Sequence, residues 1–157
     1  MSHSLMPKFP VEGGCRCGRV RFRVAEPPLL EVACHCRGCQ RMTASAFSTS
    51  IAVAEDAFAI TSGDMARGGL GQGDVRHHHC ATCLSWVYTS FPPGLGFVNV
   101  RATLLDDPSW HAPWLEVEAR SKLPWAHTGA QRSFEGSPPA EEYIGFITGY
   151  RSARRIA

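Results

Sequence analysis

Three thiols within six residues, in Cys34-His35-Cys36-Arg37-Gly38-Cys39, restrict this chain more than any other stretch. Thiols at i, i+2 and i+5 converge on one point if the backbone makes a tight knuckle, and Gly38, free to take positive φ, suits that turn. The occupant expected there is zinc. Closed structural zinc sites draw four tetrahedral ligands from protein, whereas catalytic sites draw three and keep one position open. Three local cysteines therefore suggest an open site. The competing reading is a closed site completed by His35, by one of His77, His78 and His79, or by a distant cysteine.

Two further pairs, Cys15/Cys17 and Cys80/Cys83, bring the count to seven. In one partition these four close an all-thiolate site that ties the start of the domain to its middle, and the triplet keeps its own metal. In the other, Cys36/Cys39 and Cys80/Cys83 pair as a zinc-ribbon-like CxxC…CxxC, which strands Cys15, Cys17 and Cys34. Spacing excludes neither, although only the first uses every thiol. Seven clustered cysteines fit metal ligation in a reducing compartment better than disulfides, since an odd number cannot all pair. A cytoplasmic location is therefore expected, and Met1 to Pro10 lacks the apolar core of a signal peptide.

Composition narrows the classes. The 157 residues, 44 % of them apolar, suit one domain with a real core. A formal charge of +2, with basic residues scattered, is a poor nucleic-acid footprint. No apolar run approaches a membrane span, so neither nucleic acid nor membrane is an expected partner.

Along the chain, residues 1–10 read as a lead-in. Arg19 to Val24 alternates strictly and predicts a half-buried strand with Val20, Phe22 and Val24 inward and the arginines solvated. Leu29 to Ala33 predicts a strand that delivers Cys34, and Gln40 to Ala44 a turn of helix. Phe47 to Val53, Phe58 to Thr61, Phe97 to Ala102 and Leu115 to Arg120 predict further strands. Asp74 to His79 and Leu84 to Phe91 flank Cys80 and Cys83, which places that CxxC at a hairpin tip. Ala66 to Gly73, with four glycines, reads as a loop or a lid over the triplet. Asp106-Asp107-Pro108 predicts a turn, and residues 143–157 read as a short helix docked on the body or as a frayed end. Short, closely spaced strands without helical periodicity predict a mainly β domain over residues 11–127, with 128–157 an extension packed on it.

Gly14-Cys15-Arg16-Cys17-Gly18-Arg19-Val20-Arg21-Phe22, Cys34 to Arg41 followed by Ser45-Ala46-Phe47, Cys80-Ala81-Thr82-Cys83 and Lys122-Leu123-Pro124-Trp125 together resemble the glutathione-dependent formaldehyde-activating enzyme family, which also includes centromere protein V. The resemblance implies a single-domain, Mss4-like β fold with short helical turns and two zinc ions per chain. It also implies that Cys15, Cys17, Cys80 and Cys83 hold a structural zinc, and that Cys34, Cys36 and Cys39 hold a catalytic one. Two departures stand out: the family commonly has glycine directly after the second cysteine of the CxxC, where this chain has Leu84, and a glycine near Ala44.

A metal-held thiolate is a nucleophile at neutral pH. A thiol such as glutathione on the open triplet could then add to an aldehyde such as formaldehyde, and the reverse reaction is that of a carbon–sulfur lyase. Three thiolates make the metal a poor Lewis acid for hydrolysis, which favours thiol activation. Arg37 and Arg41 beside the knuckle are candidates for a substrate carboxylate, and Trp125 is a candidate cleft wall. His35 is read as a structural histidine in preference to a proton shuttle. The alternative is a non-catalytic module with two structural zinc sites that binds a partner. The pattern leaves open a homodimer.

Overall fold

β-branched and aromatic residues alternating with small ones, cut by Gly and Pro, give short strands that must bury one or both faces. The computed structural model describes residues 5–71 and 73–156. The first four residues of the lead-in, Gln72 of the glycine-rich segment and the last residue of the extension lie outside the described residues. A small sheet orders β1 (Val11–Gly14), β2 (Arg21–Val24) and β5 (Phe58–Ser62) as β1-β2-β5. A larger one contains β3 (Leu30–Cys34), β4 (Ser48–Ala54), β6 (Met65–Gly68), β7 (Arg76–Cys80), β8 (Trp86–Ser90), β9 (Phe97–Arg101), β10 (Leu115–Val117) and β11 (Arg132–Ser133). Its order is β11-β10-β3-β4-β9-β8-β7-β6. Two α-helices, α1 (Arg37–Thr43) and α2 (Ala140–Arg154), complete the described regular structure apart from short 3-10 turns. The fold is mainly β, as the spacing of turns implies, and none of the described helices is long and apolar enough to cross a membrane.

The large sheet is buried on both faces at its centre, and β4 shows how. Ile51 and Val53, both fully buried, join Val20, Phe22, Val24, Val87 and Val100 in a core shared with the small sheet. Each such side chain contributes about 1.5–3 kcal/mol. The intervening Ala52 joins Leu30, Trp114, Leu115 and Tyr150 in a second core on the opposite face, as the two-residue period of a strand requires. The strand read over Phe47 to Val53 begins at Ser48, and Ser48 and Ser50 are buried as well.

Helix α2 covers the second core. Tyr150, fully buried, donates from its hydroxyl to Glu31 Oε2 at 3.0 Å. Glu31 is itself fully buried, with Oε1 bonded to His111 Nδ1 (2.9 Å) and the Ala112 N–H (3.0 Å), while Arg154 Nε stands 3.0 Å from Oε2. A buried carboxylate is tolerable because it is multiply paired.

Several boundaries correct the sequence reading. The glycine-rich segment expected as a loop begins as β6, paired with β7 from Met65↔Cys80 to Gly68↔His77. Its glycine serves packing, since a Cβ at Gly68 would stand 2.1 Å from His79 Cε1. Leu115 to Arg120 stops being strand after Val117, because Glu118 turns left-handed (φ +57) into a 3-10 turn over Ala119–Ser121. The two glycines of β1 kept it out of a propensity-based reading. The arginines of β2 do face solvent, and there Arg21 also grips Asp106 through two nitrogens, Nη1 at 2.8 Å from Oδ1.

Candidate active site

The seven cysteines are free thiols that gather in two groups, Cys15/Cys17/Cys80/Cys83 and Cys34/Cys36/Cys39, with the ligand atoms of each group within 4.8 Å of one another. This settles the partition against the ribbon: Cys80 and Cys83 face Cys15 and Cys17, not the triplet. Four sulfurs about 2.3 Å from a tetrahedral zinc stand about 3.8 Å apart. The Cys15–Cys17 and Cys17–Cys80 Sγ separations of 3.4 and 3.9 Å bracket that spacing and far exceed a disulfide bond. The donors therefore fit zinc.

Each knuckle is built by its own backbone. Gly18, at φ +78, turns the first loop so that the Val20 N–H donates to Cys15 Sγ at 3.3 Å. At the second, the Thr82 N–H donates to Cys80 Sγ at 3.4 Å and Leu84 adopts φ +60. Ala44, which ends α1, sits at φ +50. Both departures from the family pattern thus fall on left-handed backbone that glycine takes at lower cost. The positive φ expected at Gly38 is not used, because Gly38 lies inside α1. The triplet's knuckle is the start of that helix: Cys36 is its N-cap, and its Sγ accepts from the Cys39 N–H at 3.3 Å. Hydrogen bonds from Cys34 and Cys39, then from nearby backbone N–H groups, hold the Cys36 thiol low, while those contacts and burial push Cys34 up. A divalent cation relieves this crowding by keeping all three as thiolates.

No fourth protein ligand joins the triplet among the described residues. His35 is fully buried and turned to Glu116, Nε2 to Oε2 at 3.1 Å, with its ring 5.4 Å from that of Phe47. Burial alone would raise Glu116, but bonds from Lys122, Thr128 and His35 bring it to about 2. Gln40 ties the knuckle to a second segment, donating from Nε2 to His35 O (2.7 Å) and Ser121 O (2.9 Å).

The two groups differ in what lies in front of them. The triplet opens into a cavity of about 390 Å³, and the four-cysteine group does not line it. Register explains the cavity. One row across the large sheet runs His77↔Thr89↔Asn99↔Ala52↔Leu30, and the next pairs Arg101 with Ser50 and Ser50 with Val32. A third sets Cys34 between Ser48 and Val117. Where β4 passes through these rows it offers only Ser48, Ser50 and Ala52, and side chains this small leave a hollow. Phe91, Phe97, Tyr143 and Ile147 wall its far side, the last two from α2.

Of the substrate candidates, none lines this cavity. Arg37 is exposed and donates to Gln40 Oε1, Arg41 is exposed in the last turn of α1, and Trp125 is 69 % exposed. The structure instead brings in His77, Trp86, Asn99 and Arg101. His77 Nδ1 meets Thr89 Oγ1 at 3.0 Å, and burial first, then Arg101, lowers the imidazole below its ordinary value. His78 takes the opposite side, stacked on Tyr88 at 4.2 Å. Arg101 lies 4.0 Å over the Trp86 ring. The alternation Phe97-Val98-Asn99-Val100-Arg101 was the available signal, for it sets two polar residues on one side of an otherwise apolar strand.

A sequence model of the glutathione-dependent formaldehyde-activating enzyme family matches residues 10–120. The chain belongs to that family. A protein of Halomonas elongata carrying the name "Putative glutathione-dependent formaldehyde-activating enzyme" is 26 % identical over 148 residues, covering 82 % of this chain and 88 % of its own length. The crystal structure of a Rhodobacter sphaeroides protein superposes with a TM-score of 0.47 at 18 % identity, over 60 % of this chain and 87 % of the other.

Proposed function

We propose that this protein is a carbon–sulfur lyase that forms or cleaves adducts between a thiol of the glutathione type and an aldehyde such as formaldehyde, centred on Cys34, Cys36 and Cys39. The observation that carries the reading is the contrast between the cysteine groups: four thiols satisfy one another away from the cavity, whereas three present an incomplete set at its floor. Zinc held by the three would supply a positive charge that keeps an incoming thiol deprotonated at neutral pH. Cys15, Cys17, Cys80 and Cys83 would hold a second, structural zinc. Family membership and the name of the Halomonas protein support glutathione and formaldehyde as reactants.

The chain's own groups divide the remaining work. The apolar wall of Phe91, Phe97 and Ile147 excludes water from the reacting carbon. Thr89 engages His77 Nδ1, which leaves Nε2 to take the thiol proton; a lowered imidazole is neutral at pH 7 and ready to accept it. The substrate sulfur forms a bond to the carbonyl carbon, the C=O π pair moves onto oxygen, and the proton passes from Nε2 to that oxygen. Atoms and charge balance without an oxidant or reductant. Gln40 holds the triplet's helix against the 119–121 turn, so the sulfurs do not drift as substrate enters.

The adduct also forms unaided, so the test is a rate gain over background. Exchange NMR on a glutathione and formaldehyde mixture should show faster exchange with the zinc-loaded protein than with its Cys36→Ser form. Equal rates would retire these reactants and favour the non-catalytic zinc module.

A further inference from the structure

The cavity holds a buried cation that, among the described residues, has no carboxylate partner. Arg101 is 7 % exposed, and among the described residues no carboxylate is within ion-pair reach of it. Other basic groups set into the interior are paired: Arg154 with Glu31, and Lys122 with Glu116. Burial lowers the Arg101 guanidinium to about 10, with Cys39 and Cys34 opposing, so it is charged at neutral pH. Its protein contacts are few. Nη2 donates to Asn99 O at 3.3 Å, the plane lies over Trp86, and Nε has no partner among the described residues. Asn99 Oδ1 and Trp86 Nε1, beside it, likewise lack partners among the described residues. Unpaired buried charge and unpaired buried dipoles are retained at a cost in stability, and a fold keeps them where a ligand completes them. Thiolates at the triplet offset the charge through space, yet no hydrogen bond joins them to Arg101. The guanidinium fork matches a carboxylate in shape and charge.

We propose that Arg101, positioned by Trp86 and Asn99, is the anion-binding residue of the cavity, and that the thiol admitted there carries a carboxylate. This rests on the reading of the triplet as the thiol-binding centre. It assigns to β9 the role that Arg37 and Arg41 do not fill from the surface. It also orients an acidic thiol such as glutathione, with the sulfur at the Cys34/Cys36/Cys39 end and the carboxylate at the Trp86 end of one hollow.

The probes are 3-mercaptopropionate and its neutral isostere 3-mercaptopropanamide, with a second pair one methylene longer. Titration calorimetry at pH 7 on zinc-loaded protein, with metal content measured for every sample, reads affinity without reference to turnover. Wild type should bind the carboxylate of at least one pair about tenfold or more tightly than the amide, as a charge-assisted hydrogen bond implies. Arg101→Gln should bind acid and amide alike, with zinc content unchanged, and Arg101→Lys should keep only part of the preference because it lacks the fork. Equal affinities for acid and amide in wild type overturn the proposal, and so does a preference that survives in Arg101→Gln. Should Arg101→Gln fail to fold or lose metal, the wild-type comparison still decides. A preference without acceleration of adduct exchange refutes the enzymatic reading alone; acceleration without preference refutes this one alone.

Discussion

Removing one oxygen atom from Tyr150 should loosen the wall of the cavity without touching its chemistry. Tyr150 and Glu31 are both fully buried, and the hydroxyl donates to Oε2 at 3.0 Å across the junction of α2 and β3. In Tyr150→Phe the ring and its 6.1 Å edge contact with Trp114 remain, so no large cavity opens and the loss is the hydrogen bond. A bond to a charged, buried acceptor contributes about 1.5–3 kcal/mol. In a domain of this size each kcal/mol moves Tm by about 2–4 °C, which gives a fall of about 3–12 °C. Circular dichroism melts at matched zinc content measure it. Glu31→Gln should cost more, about 3–5 kcal/mol, because Arg154 then lies buried beside a neutral amide. In the double variant the two losses should not add, since both break one network. A Tm for Tyr150→Phe within about 1 °C of wild type, or strict additivity, would refute the claim that this carboxylate anchors α2.

Glycine at Leu84 or at Ala44, both on left-handed backbone, should stabilise the protein. Leu84→Gly relieves about 1–2 kcal/mol of αL strain and returns about 0.5–1 kcal/mol as chain entropy, and Leu84 is 67 % exposed, so little packing is lost; a rise in Tm is expected, and Ala44→Gly should act alike. His77 gives a pH dependence: its imidazole is lowered in the fold, so as pH falls below about 6.5 the unfolded chain takes up a proton that the folded chain refuses. Stability should therefore fall from pH 7 to 6, and urea midpoints of His77→Gln should show a shallower slope than wild type. Cys39→Ser should lower zinc from two ions per chain to one by elemental analysis while the fold persists, whereas Cys83→Ser should lose the other ion together with cooperative melting.

What could be read from the residues, and what could not, divides along locality. The triplet, the Cys15/Cys17 and Cys80/Cys83 pairs and the alternation of Val20, Phe22 and Val24 are legible because each is a statement about neighbours in sequence; that the two pairs face one another is not, since Cys17 and Cys80 meet across 63 positions of chain. The C-terminal helix is legible only as one of two alternatives, a short helix or a frayed end, because nothing in its sequence announces that Tyr150 will find Glu31 on β3. The cavity is not legible, because it is made by register. An Asn and an Arg on one side of β9 look the same whether that side meets water or protein. Only the pairing of Asn99 with Ala52 and of Arg101 with Ser50 decides, by setting small side chains of β4 beside long polar ones of β9. A slip of two residues would keep every inward face apolar and every strand intact, yet it would take the hollow away from Cys34. For the same reason Arg37 and Arg41 were the arginines that drew notice: they flank the thiols in sequence, whereas Arg101 comes to the thiols' cavity only through β4. Proximity along the chain picks out the thiols in pairs and a triplet, and proximity across the fold decides which of them meet and which side chains face them.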